Sequence, residues 1–331
     1  MNELNLKIVS TGNYLPKTSL TAKQAHQKSA EILQKEISLS HFDVEHRYVS
    51  KNETISEMGV VALQSALDSA KIKATDLDLI IFGSSMPEQP IPSTAVLIHQ
   101  KMGLGSSGVP CFDVNSTCTS FLTALEIAAS FIHTGRYRRI ALINAEIGSK
   151  GINWKELEVA SLFADGAAAV IVEADTTGES RIVGTRSNTY SDGADLCEIR
   201  AGGSRFNILS PPPNQDDYLF RMEGRGVYRL ASKYLPQFVI QLLSECKVGL
   251  EDIDWVVPHQ ASPLAMMQMR RKLGFSEDRF LNIIQTHGNQ VSASLPMTLD
   301  YCLKNKAKRG DHILLIGTGA GITLSGTVLI Y

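Results

Sequence analysis

Asn115-Ser-Thr-Cys118-Thr-Ser-Phe121 joins a short apolar run to a long one, and the organisation of the chain can be read outward from it. Residues 109–114 (Val-Pro-Cys-Phe-Asp-Val) have the character of a buried strand. Residues 119–133 form a helical pattern too apolar all round for a surface, with Phe121, Leu122, Leu125, Phe131 and Ile132 spread over every face. A thiol in the first turn of such a helix sits at the positive end of its dipole, near unpaired N–H groups. Both effects favour the thiolate, the form that attacks carbonyls and thioesters. The plainer reading is that Cys118 is a small core residue, as most cysteines between apolar segments are.

Two downstream stretches weigh against the plainer reading. Val256-Val-Pro-His259-Gln-Ala-Ser262 ends an apolar strand, expected over 253–257, on a histidine. Ser262-Pro263 then reads as a helix N-cap followed by proline at the first helical position. His287-Gly-Asn289 follows a second apolar run, 280–284, read as another strand, and precedes a helical pattern over 292–303. Three strand ends thus present Cys118, His259 and Asn289 just before helices, at the carboxyl side where α/β sheets gather their chemistry. A cysteine with a distant histidine and asparagine is the set expected of an acyl-transferring thiol enzyme. Taken singly, His259 could cap a helix and Asn289 could be a turn residue after Gly288.

The 331 residues suffice for a large core and suggest two domains or one duplicated unit. A 44% apolar and 20% charged composition is ordinary for a globular protein, and a net charge of −2 argues against nucleic acid as a partner. No apolar run reaches membrane-spanning length, and the first residues lack a signal segment, so a cytoplasmic protein is expected. Five scattered cysteines, without metal-ligand spacing, point to a reduced compartment and to no metal site.

The chain also repeats itself. Residues 62–83 can be laid on 238–259: each is a helix, a short lysine-containing loop, an Asp-apolar-Asp step and a buried strand. Arg139-Ile-Ala-Leu-Ile-Asn-Ala145 matches His312-Ile-Leu-Leu-Ile-Gly-Thr318 in a register that carries Cys118 close to Asn289. Two similar α/β halves follow, 1–175 with the cysteine and 176–331 with the histidine and asparagine, packed about a pseudo-twofold axis. Thr54-Ile-Ser-Glu57 is a capping box. Residues 205–217, with Pro211-Pro-Pro213, read as a surface or lid loop. Gly317-Thr-Gly-Ala-Gly321 resembles half a dinucleotide fingerprint, but too few residues follow it for a nucleotide-binding unit.

These motifs resemble the thiolase-fold ketosynthases, and most closely β-ketoacyl-acyl-carrier-protein synthase III. The resemblance runs from Ile8 to Thr323 and rests on the Cys118 elbow, Pro258-His-Gln-Ala261, His287-Gly-Asn289 with Ser294-Leu-Pro296, and Phe163-Ala-Asp-Gly166. It implies a duplicated five-layer αβαβα fold and a homodimer. It also implies a decarboxylative Claisen condensation of an acyl group, loaded on Cys118, with a malonyl-type or β-ketoacyl thioester in fatty-acid or polyketide-type biosynthesis. By the same resemblance His259 and Asn289 stabilise the enolate, and the backbone N–H groups of Cys118 and Ala320 form an oxyanion hole. Ile91, Met222 and Ser262 would border the substrate tunnel or the dimer contact. No cofactor is implied beyond the phosphopantetheine of acyl-CoA or of an acyl carrier protein. Docking of that carrier falls to Arg229, Arg271 and Lys272, although basic helix faces are most often simply solvated.

Departures from the family concern the nucleotide end of coenzyme A. The early segment 38–47 has no tryptophan and carries Glu45 where an arginine is expected; Leu157 stands at a second arginine position, Leu264 at a carrier-docking arginine, and Ser262 at an asparagine. Within the same fold, enzymes that acylate a hydroxyl or amine often carry an acid in place of the asparagine. Non-decarboxylating members place a glutamate where this chain has Ile91, and non-catalytic partner subunits lose the nucleophile. Asn289 therefore favours condensation over acylation of a hydroxyl or amine, the intact Cys118, His259 and Asn289 speak against a non-catalytic subunit, and Glu88 lies three positions from Ile91.

Overall fold

The computed structural model describes residues 3–38, 40 and 43–331. Of the early segment with no tryptophan, Leu39, His41 and Phe42 lie outside the described residues. Nine strands and six helices build the frame. The strands are β1 (Lys7–Tyr14), β2 (Leu79–Gly83), β3 (Cys111–Val114), β4 (Arg139–Ile147), β5 (Asp165–Glu173), β6 (Arg181–Thr189), β7 (Trp255–Pro258), β8 (His312–Gly319) and β9 (Thr323–Ile330). The helices are α1 (Ile55–Ala70), α2 (Thr94–Lys101), α3 (Ser120–His133), α4 (Gly224–Cys246), α5 (Pro263–Leu273) and α6 (Ser294–Asn305).

The duplication read from sequence is a duplication of sheets. The first has the order β1-β5-β4-β2-β3 and the second β7-β8-β9-β6. In each, a parallel pair (β2 with β4, β7 with β8) is followed by two antiparallel steps. Each half thus places a strand end, Gly83 or Pro258, at the same point of the fold.

Burial patterns assign the layers. One face of the first sheet meets α1 and α2 through Met58, Leu63, Phe82 and Ile98, and one face of the second meets α4 and α5 through Phe238, Leu242, Met266 and Leu314. Between the sheets, α3 and α6 share one core in which Phe121 and Leu125 join Ile81, Leu142, Leu295, Leu299 and Leu315. An α3 apolar on all sides is what a helix between two sheets requires. The layers therefore run α, β, α, β, α.

Local signals act where the sequence placed them. Thr54 forms both bonds of a capping box with Glu57, and Ser262 caps α5 with Pro263 at its start. The run 280–284 departs from expectation, because it forms no strand. It contacts β7 through Val256 N–H to Arg279 O (2.8 Å) and Leu281 N–H to Val256 O (3.0 Å). Beyond that the side-chain amide of Gln260 replaces the ladder, donating to Leu281 O (3.2 Å) and accepting from Ile283 N–H (3.0 Å). Asn289 consequently follows a one-turn helix, Ile284–His287, rather than a strand end.

Phe121 is fully buried where both sheets meet α3. Phe121→Ala should lower stability by about 3–5 kcal/mol, read from urea unfolding. A loss below about 1 kcal/mol would contradict a shared central layer.

Candidate active site

Cys118 is the middle residue of a tight turn, Thr117–Thr119, that leads straight into α3. Thr117 has φ 54°, unusual for a β-branched residue, and the Asn115 side chain holds it there. Asn115 Oδ1 accepts the Thr117 N–H (2.9 Å) while its Nδ2 donates to Ser85 O (2.9 Å). The second half repeats the device. Val291 has φ 51° in the turn Val291–Ala293 ahead of α6. Asn289 Oδ1 accepts the Val291 N–H (2.8 Å), and Asn289 Nδ2 donates to Ala261 O (3.0 Å). An amide nitrogen carries two protons, so one N–H of Asn289 remains free of these bonds. The Asn289 backbone is fixed by Ala164 N–H to Asn289 O (2.9 Å) and by Asn289 N–H to Leu162 O (3.0 Å).

Glycines let the turns approach. A Cβ on Gly319 would lie 2.6 Å from Thr117 Oγ1, and one on Gly317 would lie 3.4 Å from both His259 Cβ and the Thr119 methyl. The glycine run at 317–321 thus lets the end of β8 pass between the Cys118 turn and His259. Gly288 (φ 70°) has no room either, since its Cβ would meet Ala164 Cβ at 2.7 Å.

His259 continues the β7–β8 ladder, its N–H donating to Ile316 O (2.8 Å), and is 3% exposed. Burial lowers its pKa to about 4, so the ring is neutral at physiological pH. Its Nδ1 lies 2.7 Å from Ser294 Oγ.

The thiol departs from the sequence reading. Cys118 is half-buried, at the edge of the shared core. Burial first, then the charges of Glu146 and Cys197, push its pKa up to about 12. The backbone N–H groups of Ala320 and of Cys118 itself hydrogen-bond to the thiol and pull the other way, but do not prevail. Helix position therefore does not make Cys118 a thiolate at rest, because desolvation outweighs a partial dipole.

Glu146 and Cys197 went unnoticed in the sequence. Glu146, on β4, is buried and accepts the Ser85 N–H (2.7 Å) and the Ser292 hydroxyl (2.5 Å), tying the Asn115 anchor loop to the Asn289 turn. Burial raises its pKa to about 6 despite those bonds. Cys197 pairs with Met222 in a two-stranded ribbon.

The remaining sequence candidates are dispersed. Ile91 is 86% exposed, so nothing in one chain encloses it. The Ser262 hydroxyl is occupied in capping α5, accepting from Ala265 N–H (3.2 Å). Arg229 on α4 and Arg271 and Lys272 on α5 are exposed, and Lys272 Nζ donates to Ser232 O (2.6 Å), which joins the two helices. Among the described residues no group of three or more His, Cys, Asp or Glu is arranged to hold a metal ion, and no helix is long and apolar enough to cross a membrane.

Removing the charge of Glu146 should lower the Cys118 pKa. Glu146→Gln is therefore expected to alkylate faster than the parent at pH 8, with Cys118 followed by peptide mass. An unchanged or slower rate would show that the carboxylate does not act on the thiol.

The model for 3-oxoacyl-[acyl-carrier-protein] synthase III matches residues 112–193, the model for its C-terminal part matches 243–331, and a thiolase N-terminal model matches 41–147. A β-ketoacyl-[acyl-carrier-protein] synthase III from Clostridium acetobutylicum is 31% identical over 329 residues, 98% of each chain. The structure of 3-oxoacyl-[acyl-carrier-protein] synthase III from Aquifex aeolicus is 30% identical, with a TM-score of 0.85 over 98% of this chain and 100% of that one. OleA from Xanthomonas campestris, 18% identical with a TM-score of 0.88 over the whole of both chains, shares the fold. The chain belongs to the β-ketoacyl-[acyl-carrier-protein] synthase III family of thiolase-fold condensing enzymes and is an acyltransferase.

Proposed function

We propose that Cys118 takes an acyl group from a thioester and that His259 and Asn289 then direct decarboxylative condensation with a malonyl-type thioester, in the manner of a fatty-acid chain-initiating ketosynthase. The observation that carries this reading is the meeting, across Gly317, of the Cys118 turn from residues 1–175 with His259 from residues 176–331, together with the packing of that turn against the Val291–Ala293 turn that follows Asn289.

In loading, the thiol sulfur attacks the donor thioester while the N–H groups of Cys118 and Ala320 receive the developing oxyanion. The donor's C–S bond breaks, and the thiol proton of Cys118 ends on the departing sulfur. In condensation the malonyl carboxylate leaves as CO₂. The electron pair of the broken C–C bond enters an enolate whose oxygen accepts from His259 Nε2–H and from the free N–H of Asn289. The enolate carbon attacks the acyl carbonyl, and the Cys118 C–S bond breaks to release the β-ketoacyl product and a Cys118 thiolate, which takes a proton from solvent to restore the thiol. A high resting pKa suits this cycle, because the thiol needs to ionise only while a carbonyl is held in the oxyanion hole.

Donor choice is read from the site's surroundings. Leu157 and Met222 border a cavity of about 540 Å³ lined by Glu156, Glu158, Asp216, Asp217, Glu223 and Arg221, with Asp216 paired to Lys155 and Asp217 to Arg200, so that Glu156, Glu158 and Glu223 leave it acidic. Such a wall is unfavourable to the phosphates of coenzyme A, whereas a pantetheine arm on a carrier brings no nucleotide. The exposed Arg229, Arg271 and Lys272 would receive the acidic carrier. Ile91 (86% exposed), Met86 (49%) and Val96 (41%) form the apolar face through which a second copy would complete a homodimer, with Ile91, Met222 and Ser262 bordering the tunnel. A cytoplasmic enzyme acting on acyl carrier protein and needing no cofactor is the corresponding setting.

Cys118→Ala should abolish covalent acylation, measured as mass added to the intact protein. His259→Ala and Asn289→Ala should load normally and condense roughly 10²–10⁴-fold more slowly. Either variant condensing at the parental rate would refute the division of roles. Because burial holds the pKa of His259 down to about 4, the ring is a neutral donor throughout the physiological range, and condensing activity should show no histidine titration between about pH 6 and 8.

A matched acyl group should load Cys118 faster from its carrier protein than from coenzyme A, measured as second-order acylation rates at moderate salt. Equal or faster loading from coenzyme A would contradict the reading of the pocket.

A further inference from the structure

Ser294 is buried at the start of α6, and its hydroxyl lies within reach of three groups: His259 Nδ1 (2.7 Å), Val291 O (2.9 Å) and the Gln260 N–H (3.4 Å), which donates to it. A hydroxyl has one proton to give. Given to Val291 O, it leaves Nδ1 as the protonated nitrogen of the neutral ring and Nε2 as a lone pair. Given to Nδ1, it leaves the proton on Nε2, which becomes a donor.

The first half provides an internal comparison. Ser120 starts α3 as Ser294 starts α6, its hydroxyl accepts the Ser116 N–H (3.0 Å), and with no imidazole beside it that hydroxyl donates to Thr117 O at 2.6 Å. In the second half the corresponding carbonyl, Val291 O, stands back at 2.9 Å and the imidazole nitrogen takes the nearer place. Val291 O accepts the Ser294 backbone N–H as Thr117 O accepts that of Ser120, so the difference between the halves is Nδ1, which has no other hydrogen-bond partner among the described residues.

We propose that Ser294 is a positioning residue: its hydroxyl donates to His259 Nδ1 and so fixes the tautomer whose Nε2–H points at the substrate oxygen. The ring then presents a donor beside the free N–H of Asn289, and two donors converge on one enolate. Ser294 touches neither substrate nor Cys118; it acts through His259. The inference rests on the enolate role proposed for His259.

The test combines a spectrum with a rate. The ¹⁵N spectrum of the parent, with His259 assigned by its loss in His259→Ala, should show Nε2 protonated and Nδ1 bare. In Ser294→Ala the two tautomers should mix. Release of CO₂ from a malonyl thioester should fall about 10- to 100-fold, the size seen when a group orienting a histidine is removed, while acyl loading of Cys118 and the melting temperature stay near parental values. Parental ¹⁵N shifts showing Nδ1–H would overturn the proposal without any variant, as would parental CO₂ release by Ser294→Ala. If His259→Ala also released CO₂ at the parental rate, the enolate role itself would fall. If His259→Ala lost it and Ser294→Ala did not, only the Ser294 assignment would.

Discussion

Two asparagine side chains hold the centre of this protein together. Asn115 and Asn289 each bend a turn into a left-handed backbone conformation and anchor it to the loop after a parallel strand. A β-branched residue at positive φ costs of order 1–3 kcal/mol and persists only where its surroundings over-determine it. Thr117 and Val291 are so determined, and the glycines of β8 let the Cys118 turn approach His259. Glu146 adds a cross-strut, joining Ser85 of one anchor loop to Ser292 of the opposite turn.

The symmetry also separates architecture from chemistry. Because Asn115 makes the same two bonds as Asn289, those bonds belong to the fold, and the N–H left to Asn289 for the enolate role proposed above is its remaining one. The strand ends are equivalent as well, yet one half ends on Gly83 and the other on Pro258-His259. The histidine is thus a departure from the repeat, and Ser294 has that histidine beside it where Ser120 has the Ser84 carbonyl. Differences between halves that fold alike mark where function was added.

Much of this was legible in the sequence. Period and composition separated α3, apolar on every side, from α1 with its capping box, and the match of 62–83 to 238–259 captured the repeated helix and strand. The run 280–284 misled because a single glutamine side chain, Gln260, substitutes for a ladder, and no local pattern announces that. The ionisation of Cys118 misled because helix position can be read from sequence whereas desolvation cannot. Glu146 was hidden for the same reason, as an acid among apolar strand residues shows its burial only once the sheet is formed. Asn115 did carry a signal, since Asn-x-x-x-x-Ser occurs at both 115–120 and 289–294.

The central claim is that one half supplies the nucleophile, the other supplies two donors for an enolate, and each supplies one backbone N–H of the oxyanion hole. A crystal structure of the enzyme acylated on Cys118, with a malonyl thioester analogue that cannot decarboxylate, tests it most directly. The acyl oxygen should lie about 3 Å from the N–H groups of Cys118 and Ala320, and the analogue's thioester oxygen about 3 Å from His259 Nε2 and Asn289 Nδ2. An analogue oxygen directed away from His259 and Asn289, or an acyl group on another residue, would contradict it.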